Sequence, residues 1–183
     1  MYDKLAVTAA KLVMAMNKSA DSNLDEKLAD IVKTHSALAV GAAIVPVPGA
    51  DVAAAAANVW TMYGRINGEL DIPFKENVIK SVAAGVATNI GGAAAGLVIA
   101  GTALKFLPGV GTVGGAAIMG ATIYGITMVS GIVYMRALTA LANKKNMADV
   151  TEADLKAATE EAMSDKSEIK DMIKESRKSY KPS

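Results

Sequence analysis

The stretch KFLPGVGTVGG contains a Gly109-x-Gly111-x-x-Gly114 pattern, the spacing found in turns that bind the pyrophosphate of a dinucleotide. Such a turn needs a β-strand before the glycines, a helix after them and an acidic residue about 20 positions later for the ribose. The preceding segment is long and rich in Ala and Gly, which is typical of a helix, and no acidic residue occurs between Glu76 and Asp149. The pattern therefore predicts a Pro-Gly turn between two helices and no bound cofactor.

The other side chains that could do chemistry do not assemble a site. The sequence has no cysteine, which excludes thiolate metal sites, disulfides and a cysteine nucleophile. Its one histidine, His35, is expected at a helix boundary, while Asn58 and Asn89 are expected to form hydrogen bonds between helices. No nucleophile, base and oxyanion donor occur together in a recognisable pattern. We therefore expect no catalytic, metal or cofactor site and expect that the protein is not an enzyme.

Charge is distributed unevenly along the 183 residues. Residues 1–33 carry five basic and five acidic side chains, residues 144–183 carry nine of each, and residues 34–143 carry only nine charges in total. The pattern predicts N-terminal amphipathic helices, an apolar core of two helical hairpins, and a charged helical tail over these three regions. Thr151-x-x-Asp154 predicts a capping box in that tail. The net charge of +1 gives no indication of a nucleic-acid partner.

Two apolar Pro-Gly turns divide the central region into helices. Asp51 stands where it could cap the helix after the first turn. Long uncharged segments flank the second turn, so we predict an all-α fold, a bundle of helical hairpins. Its two long central Ala/Gly-rich helices are expected at about 76–104 and 112–142, flanked by amphipathic helices. The residues of the two turns are Pro46, Pro48, Gly49 and Asp51, and Pro108, Gly109 and Gly111.

Small residues recur on the central helices at spacings that let two helix backbones approach closely. Such packing is typical of membrane helices, although a soluble bundle can use it too. Both uncharged stretches are long enough to cross a bilayer, which needs about 20 apolar residues. The first stretch has 13 Ala or Gly among its 24 residues, so its insertion alone would be marginal. The predicted helix-packing residues are Gly85, Gly92 and Gly96 in the first helix and Ala117, Ala121 and Gly125 in the second.

The charges around the central hairpin predict an orientation for it if it spans a membrane. Lys105 alone lies at the turn, against five basic residues on the other side. The positive-inside rule then predicts that both termini lie in the cytoplasm. The alternative is a cytoplasmic protein whose apolar helices are buried in a soluble oligomer. The five basic residues are Lys75, Lys80, Arg136, Lys144 and Lys145.

Two blocks of the sequence resemble the YcjF-type bacterial domain of unknown function: ALAVGAAIVPVPGADVAAAAANVWTMYGRINGEL (37–70) and GTALKFLPGVGTVGGAAIMGATIYGITMVSGIVYMRAL (101–138). That domain shows a Pro-Gly-Ala-Asp hairpin followed by a Lys-Phe-apolar-Pro-Gly-Val-Gly-Thr hairpin, and the resemblance covers about residues 35–140. Its members are often fused to, or encoded beside, Era-like or stress-related GTPases, and several are membrane proteins. The resemblance thus implies a helical, GTPase-associated module embedded in the bacterial inner membrane. Because this chain has no GTPase domain, the GTPase would be a separate partner.

Three functions are consistent with these features. The leading hypothesis is a non-enzymatic, membrane-associated helical-hairpin protein that serves as an adaptor or effector platform for a partner such as a GTPase. The second is a soluble helical structural protein that forms a homo-oligomeric assembly. The third is a membrane-inserting toxin or pore. None of the three requires a small-molecule substrate.

Overall fold

The computed structural model describes residues 23–42, 50–105 and 111–178, with side chains over 27–41, 56–92 and 120–178. The described residues form helices and no β-strand, which confirms the predicted all-α fold. The two long Ala/Gly-rich helices are present, each with bounds within one residue of those predicted. The helices are α1 (Asn23–Ala42), α2 (Ala50–Glu69), α3 (Glu76–Lys105), α4 (Gly111–Ala142), a short 3-10 helix (Met147–Asp149), α5 (Glu152–Ala162) and α6 (Lys166–Lys178).

The polar helices α5 and α6 begin where side chains satisfy free backbone amides. Thr151 and Asp154 form the predicted capping box at α5, and the Asp154 carboxylate accepts a hydrogen bond from the backbone N–H of Thr151 at 2.8 Å. At α6, Asp165 Oδ1 accepts hydrogen bonds from the backbone N–H groups of Ser167 and Glu168 at 2.9 and 3.0 Å. Both starts are therefore set by local sequence.

Several boundaries differ from those predicted. Helix α1 runs through positions 33 and 34, so the change in charge between the N-terminal and central regions falls inside one helix. Asp51 lies inside the first turn of α2 and not at its cap position. An acidic side chain there interacts favourably with the positive end of the helix dipole. Gly111 is the first residue of α4. The other turn residues, Pro46, Pro48, Gly49, Pro108 and Gly109, lie outside the described residues.

Helix α4 is the centre of the bundle and contacts α1, α2, α3, α5 and α6. Leu155 of α5 and Ile173 of α6 are fully buried, so these charged helices belong to the bundle instead of forming a separate solvated tail. Burying one such side chain contributes about 1.5–3 kcal/mol. Further core side chains are Val32, Met62, Tyr63, Ile66, Val82, Val86, Ile90, Val129, Ile132 and Val133.

Among the described residues, one stretch is long and apolar enough to cross a membrane, Gly120–Ala142 in α4. Within it, 67% of the most apolar window is buried inside the bundle. The core helix of a soluble protein can have the same length and composition, so hydropathy alone does not assign this stretch to a membrane. Its position shows that it is the central helix of the core.

Candidate functional site at one end of the bundle

Two stacked tyrosines hold α2 against α4. The rings of Tyr63 and Tyr134 are 3.8 Å apart between centroids and inclined by 6°. The Tyr63 hydroxyl donates a hydrogen bond to the backbone oxygen of Ser130, and the Tyr134 hydroxyl donates one to Oδ1 of Asn67, each at 2.9 Å. Burial, and then the neighbouring Tyr134, raise the pKa of the Tyr63 phenol well above its ordinary value, so it stays a donor at neutral pH. Residue numbers rise together in these contacts, so α2 and α4 run parallel.

A histidine–asparagine pair holds α1 against α2. Asn58 Oδ1 accepts a hydrogen bond from Nδ1 of His35, and Asn58 Nδ2 donates one to the backbone oxygen of His35, each at 2.9 Å. Nε2 of His35 lies 3.5 Å from Nη1 of Arg65. Since Lys27 of α1 pairs with Glu69 of α2 at 2.9 Å, the two helices run antiparallel. His35 is thus a buried residue within α1 and not at its boundary, because Asn58 satisfies it there.

Only one of the two asparagines forms the expected contact between helices. Asn58 confirms the expectation through its bonds to His35. Asn89 is exposed and donates to the backbone oxygen of Gly85 in its own helix at 2.9 Å, so that expectation is wrong. Because the side chain of Asn89 faces solvent, it bonds to a backbone oxygen one turn earlier in its own helix.

Two glycines of α4 let neighbouring helices approach closely. A Cβ at Gly131 would lie 2.8 Å from Cγ2 of Val32 in α1. A Cβ at Gly125 would lie 2.9 Å from the backbone oxygen of Ile173 in α6. Real Cβ atoms do not approach other heavy atoms this closely, so both positions require glycine for the observed packing.

Helix α6 runs antiparallel to α4. Near its start, Glu168 pairs with Arg136 at 3.1 Å, and further along it Ile173 meets Gly125. The direction of α3 follows from its short connection to α4, which makes the two helices an antiparallel hairpin. The C-terminal ends of α1, α3 and α6 therefore lie together with the N-terminal ends of α2 and α4.

Apart from the end of α6, which carries Arg177 and Lys178, this end of the bundle has few charges. We call it the apolar end and define it by the described residues 38–42, 50–57, 92–105 and 111–124. Its charged residues are Asp51 and Lys105. Leu38, at its edge, is 57% exposed, which is unusual for a large apolar side chain among the described residues.

The opposite end carries closely mixed charges, and we call residues 23–30, 69–76 and 143–156 the charged end. Lys145 Nζ lies 2.8 Å from Oδ2 of Asp154. Hydrogen bonds from Lys145 and from Thr151 hold the pKa of Asp154 well below its ordinary value. A hydrogen bond from Lys156 likewise lowers the pKa of Glu152. These carboxylates are therefore ionised at neutral pH, and this end is suited to water or to a polar partner.

Basic side chains lie next to the apolar end. Nζ of Lys80 is 4.2 Å from the centre of the Trp60 ring. Cγ of Arg177 is 3.3 Å from the Cβ position of Gly125. Along each of five helices, the first charged residue met on leaving the apolar end is basic: Lys33 in α1, Arg65 in α2, Lys80 in α3, Arg136 in α4 and Lys178 in α6.

We use the name basic tier for the first charged residues met on α1, α2, α3 and α6, together with Arg177 of α6. Arg136 is not included because it is largely buried in its pair with Glu168. Lys80 of the tier pairs with Glu76 at 2.7 Å, and Lys178 pairs with Glu175 at 2.6 Å. The basic tier consists of Lys33, Arg65, Lys80, Arg177 and Lys178.

The predicted helix-packing residues have different surroundings. Gly85 and Gly92 are exposed, and a Cβ at either would meet nothing within 4 Å. Their close packing against another helix therefore stays a prediction, and its partner would be a second molecule or lipid. Gly125 does permit close packing, but its partner is α6 and not the other helix of the hairpin. The remaining three are Ala121, which is half-buried in α4, and Gly96 and Ala117, which lie within α3 and α4.

Sequence reasoning missed Gly131 as a packing position. It lies six residues after Gly125 in α4 and so falls outside the i+4 series from which packing positions were selected. The signal that could have found it is its place between the apolar residues Val129 and Ile132. A core helix is expected to carry a side chain there, and a glycine in its place indicates that a neighbouring helix fills the space.

Within the part of the chain that has described side chains, no three His, Asp or Glu side chains lie close enough together to hold a metal ion. His35 has its Nδ1 committed to Asn58 and its Nε2 beside Arg65. A cation next to Nε2 makes that nitrogen a poor metal ligand. The expectations of no metal, no cofactor and no catalytic group stay predictions.

A curated protein from Magnetospirillum gryphiswaldense (strain DSM 6361 / JCM 21280 / NBRC 15271 / MSR-1), named "Magnetosome membrane protein 22", is similar to this chain. The two are 36% identical over 104 residues, which are 55% of this chain and 53% of that protein. The chain thus matches about half the length of this relative. No protein-family model matches the chain, and no solved structure matches it. The resemblance to the YcjF-type domain therefore stays a prediction.

Proposed function

We propose that the protein is a non-enzymatic, membrane-associated helical bundle that serves as an adaptor or effector platform for a partner protein. The observation that carries this proposal is the separation of an uncharged end from a charged end in one bundle. Transfer of an apolar surface out of water lowers the free energy, whereas transfer of ionised side chains out of water raises it. The apolar end would therefore contact the membrane, and the charged end would remain available to a partner.

The similarity to a magnetosome membrane protein supports the membrane part of the proposal. That relative is called a membrane protein, and the matched region covers about half of it. For this chain we propose the bacterial inner membrane, with the charged end on the cytoplasmic side. The excess of basic residues next to the apolar end supports this side by the positive-inside rule.

Membrane fractionation tests this association. We expect the protein to stay in the membrane pellet through an alkaline carbonate wash, since an apolar end held in lipid does not depend on charge. Release into the supernatant by carbonate would contradict membrane embedding. A soluble cytoplasmic enzyme from the same cells provides the control for complete removal of trapped protein.

The adaptor part of the proposal concerns the charged end, and a GTPase is the partner class that the YcjF-type resemblance suggests. A photo-crosslinking residue at exposed Lys144 or Lys156 would sample this surface in cells. We expect crosslinks to a GTP-binding protein from these positions and none from exposed Leu38 at the apolar end. Crosslinks to no protein, or equal crosslinks from both ends, would contradict a platform at the charged end.

A soluble homo-oligomer is the second candidate, and the bare outer face of α3 favours it. Gly85 and Gly92 are exposed there without a neighbour within 4 Å, so another copy could approach closely. Light scattering without detergent would show a monodisperse oligomer. Gly92→Leu should dissociate it, whereas Gly64→Leu on the exposed face of α2 should not. An unchanged mass for Gly92→Leu and Gly85→Leu would count against this candidate.

A further inference from the structure

We infer that the apolar end inserts into one leaflet of an anionic lipid bilayer while the rest of the bundle stays in water. This inference rests on the membrane association proposed above and adds which segment inserts, how deep it reaches and which lipid charge it selects. The competing arrangement is a full crossing of the bilayer by the α3–α4 hairpin. The length of the hairpin, the contacts of α4 and the basic tier all favour the single leaflet.

The helical length at the apolar end is too short for a full crossing. From Gly92 to Lys105, α3 advances 13 positions, about 20 Å at the usual helical rise. Below that level α6 covers α4 at Gly125, and the exposed Lys174 and Glu175 of α6 require water. The hydrocarbon core of a bilayer is about 30 Å thick. The hairpin therefore reaches the middle region of the bilayer and not its far side.

The stretch Gly120–Ala142 cannot cross the membrane without dismantling the bundle. Thr122, Thr127 and Ser130 within it are buried polar residues. The backbone oxygen of Ser130 accepts the hydrogen bond from Tyr63, which a crossing would break. Transferring α4 to lipid would also separate it from α1, α2 and α6, and polar groups without partners are costly in hydrocarbon. The bundle thus keeps α4 in its core while only the apolar end inserts.

The basic tier lies at the level expected for lipid headgroups. Leu38 is one helical turn from His35, and Nη1 of Arg65 is 3.5 Å from the ring of His35. Lys80 lies over the half-buried ring of Trp60, and Trp is enriched at membrane–water interfaces. Cations within a Debye length of an anionic surface are attracted to it. The basic tier therefore selects a bilayer that contains anionic lipid.

Lys105 distinguishes the two arrangements because it is the charge at the far end of α3. In a single leaflet it lies within the hydrocarbon, where a charged side chain is costly. Lys105→Leu should then strengthen binding to vesicles by on the order of tenfold. In a full crossing Lys105 would reach the far interface, where lysine is a favourable anchor. Weaker binding of Lys105→Leu would therefore overturn the single-leaflet arrangement.

Single-cysteine labelling maps the inserted segment, since the chain has no cysteine of its own. Cysteine replaces exposed Leu38 or Gly92 at the apolar end, or exposed Thr139 or Ser164 as controls elsewhere on the bundle. Each variant of the full chain carries an environment-sensitive fluorophore and binds vesicles of phosphatidylcholine and phosphatidylglycerol with nitroxide-labelled acyl chains. We expect quenching at Leu38 and Gly92 and none at the two controls. Vesicle binding without quenching at Leu38 and Gly92 would overturn the inference but leave membrane association intact.

A membrane-impermeant maleimide measures the depth of Lys105→Cys. In a single leaflet this cysteine reacts with reagent neither outside the vesicles nor enclosed within them. Reaction with the enclosed reagent would show a full crossing and overturn the inference. Failure of the protein to pellet with membranes after carbonate would instead contradict the proposed function itself, so the two failures are distinguishable.

Matched neutralisations test the basic tier. One variant combines Arg65→Gln, Lys80→Gln and Lys178→Gln, and its control combines Lys27→Gln, Lys144→Gln and Lys156→Gln outside the tier. Both remove three positive charges from exposed positions. Only the first should lower affinity for phosphatidylglycerol vesicles, by on the order of tenfold or more, and the difference should fade at high salt. Equal losses in both variants would overturn the role of the basic tier.

Discussion

Val32 occupies the space that a side chain at Gly131 would fill: its Cγ2 lies 2.8 Å and its Cγ1 2.9 Å from the Cβ position of that glycine. Helix α1 can therefore pack on α4 only while position 131 has no side chain. Val32 is fully buried, so it has no free space into which it could move. The contact joins the N-terminal part of the described chain to its central helix.

Gly131→Ala should destabilise the protein because the added methyl group must displace Val32. We expect a loss of about 1–3 kcal/mol in the free energy of unfolding, the usual cost of overpacking a core. Gly64→Ala is the matched control, since nothing lies within 4 Å of a Cβ at that helical position. The control should gain about 0.5–1 kcal/mol. Chemical denaturation measures both, and equal effects would contradict the tight contact at Gly131.

Tyr134→Phe should cost more stability than Tyr63→Phe, although both remove one hydroxyl from the same ring stack. Tyr134 donates to the side chain of Asn67, whose Nδ2 already has no hydrogen-bond partner among the described residues. Leaving the buried Asn67 Oδ1 unpaired as well should cost about 1–3 kcal/mol. Tyr63 donates to a helical backbone oxygen, and its loss should cost about 0.5–1.5 kcal/mol. Thermal unfolding of both variants would show the order, and the reverse order would contradict it.

Asp154→Asn should lower the melting temperature at neutral pH and have a diminishing effect in acid. The folded pKa of Asp154 lies below its unfolded value because Lys145 and Thr151 stabilise the carboxylate. Its contribution is therefore present above the ordinary carboxyl pKa of about 3.9 and is lost as pH falls through the folded pKa. Asp149→Asn, at an exposed position of the charged end, is the control. A difference from wild type that does not shrink in acid would contradict this assignment.

Ile173→Ala should weaken the docking of α6 on α4. Ile173 is fully buried, so the substitution leaves a cavity and should cost about 2–5 kcal/mol. Its exposed neighbour Lys174 provides the control, and Lys174→Ala should change stability by less than about 0.5 kcal/mol. Amide hydrogen exchange should show faster exchange in α6 for Ile173→Ala only. Unchanged exchange would indicate that α6 is held mainly by other contacts.

Local sequence was sufficient to predict the helices. Uncharged stretches with helical spacing placed α3 and α4 within one residue, and the Thr151-x-x-Asp154 spacing placed the start of α5. These features depend on residues near one another in the chain. The need of a buried amide for a partner correctly predicted that Asn58 would reach another helix, but the same reasoning failed for exposed Asn89, which bonds within its own helix.

The packing partners could not be predicted in the same way, because they depend on which helices become neighbours. Gly85 and Gly125 both belong to series of small residues spaced along the central helices, yet the first is exposed and the second contacts α6. Spacing along one helix shows which residues share a face but not what covers that face. The same limit applies to His35, whose burial depends on Asn58 from the next helix. The gathering of uncharged helix ends at one end of the bundle likewise follows only from the chain directions.

The docking of α6 on the middle of α4 also has a consequence for synthesis on the ribosome. Lys178, at the end of α6, lies 36 positions after Ala142, at the end of α4. At typical translation rates those positions take about 2–7 s to add. During that interval α6 does not yet cover α4 at Gly125. The most apolar of the described helices is then open to chaperones and to the membrane-insertion machinery.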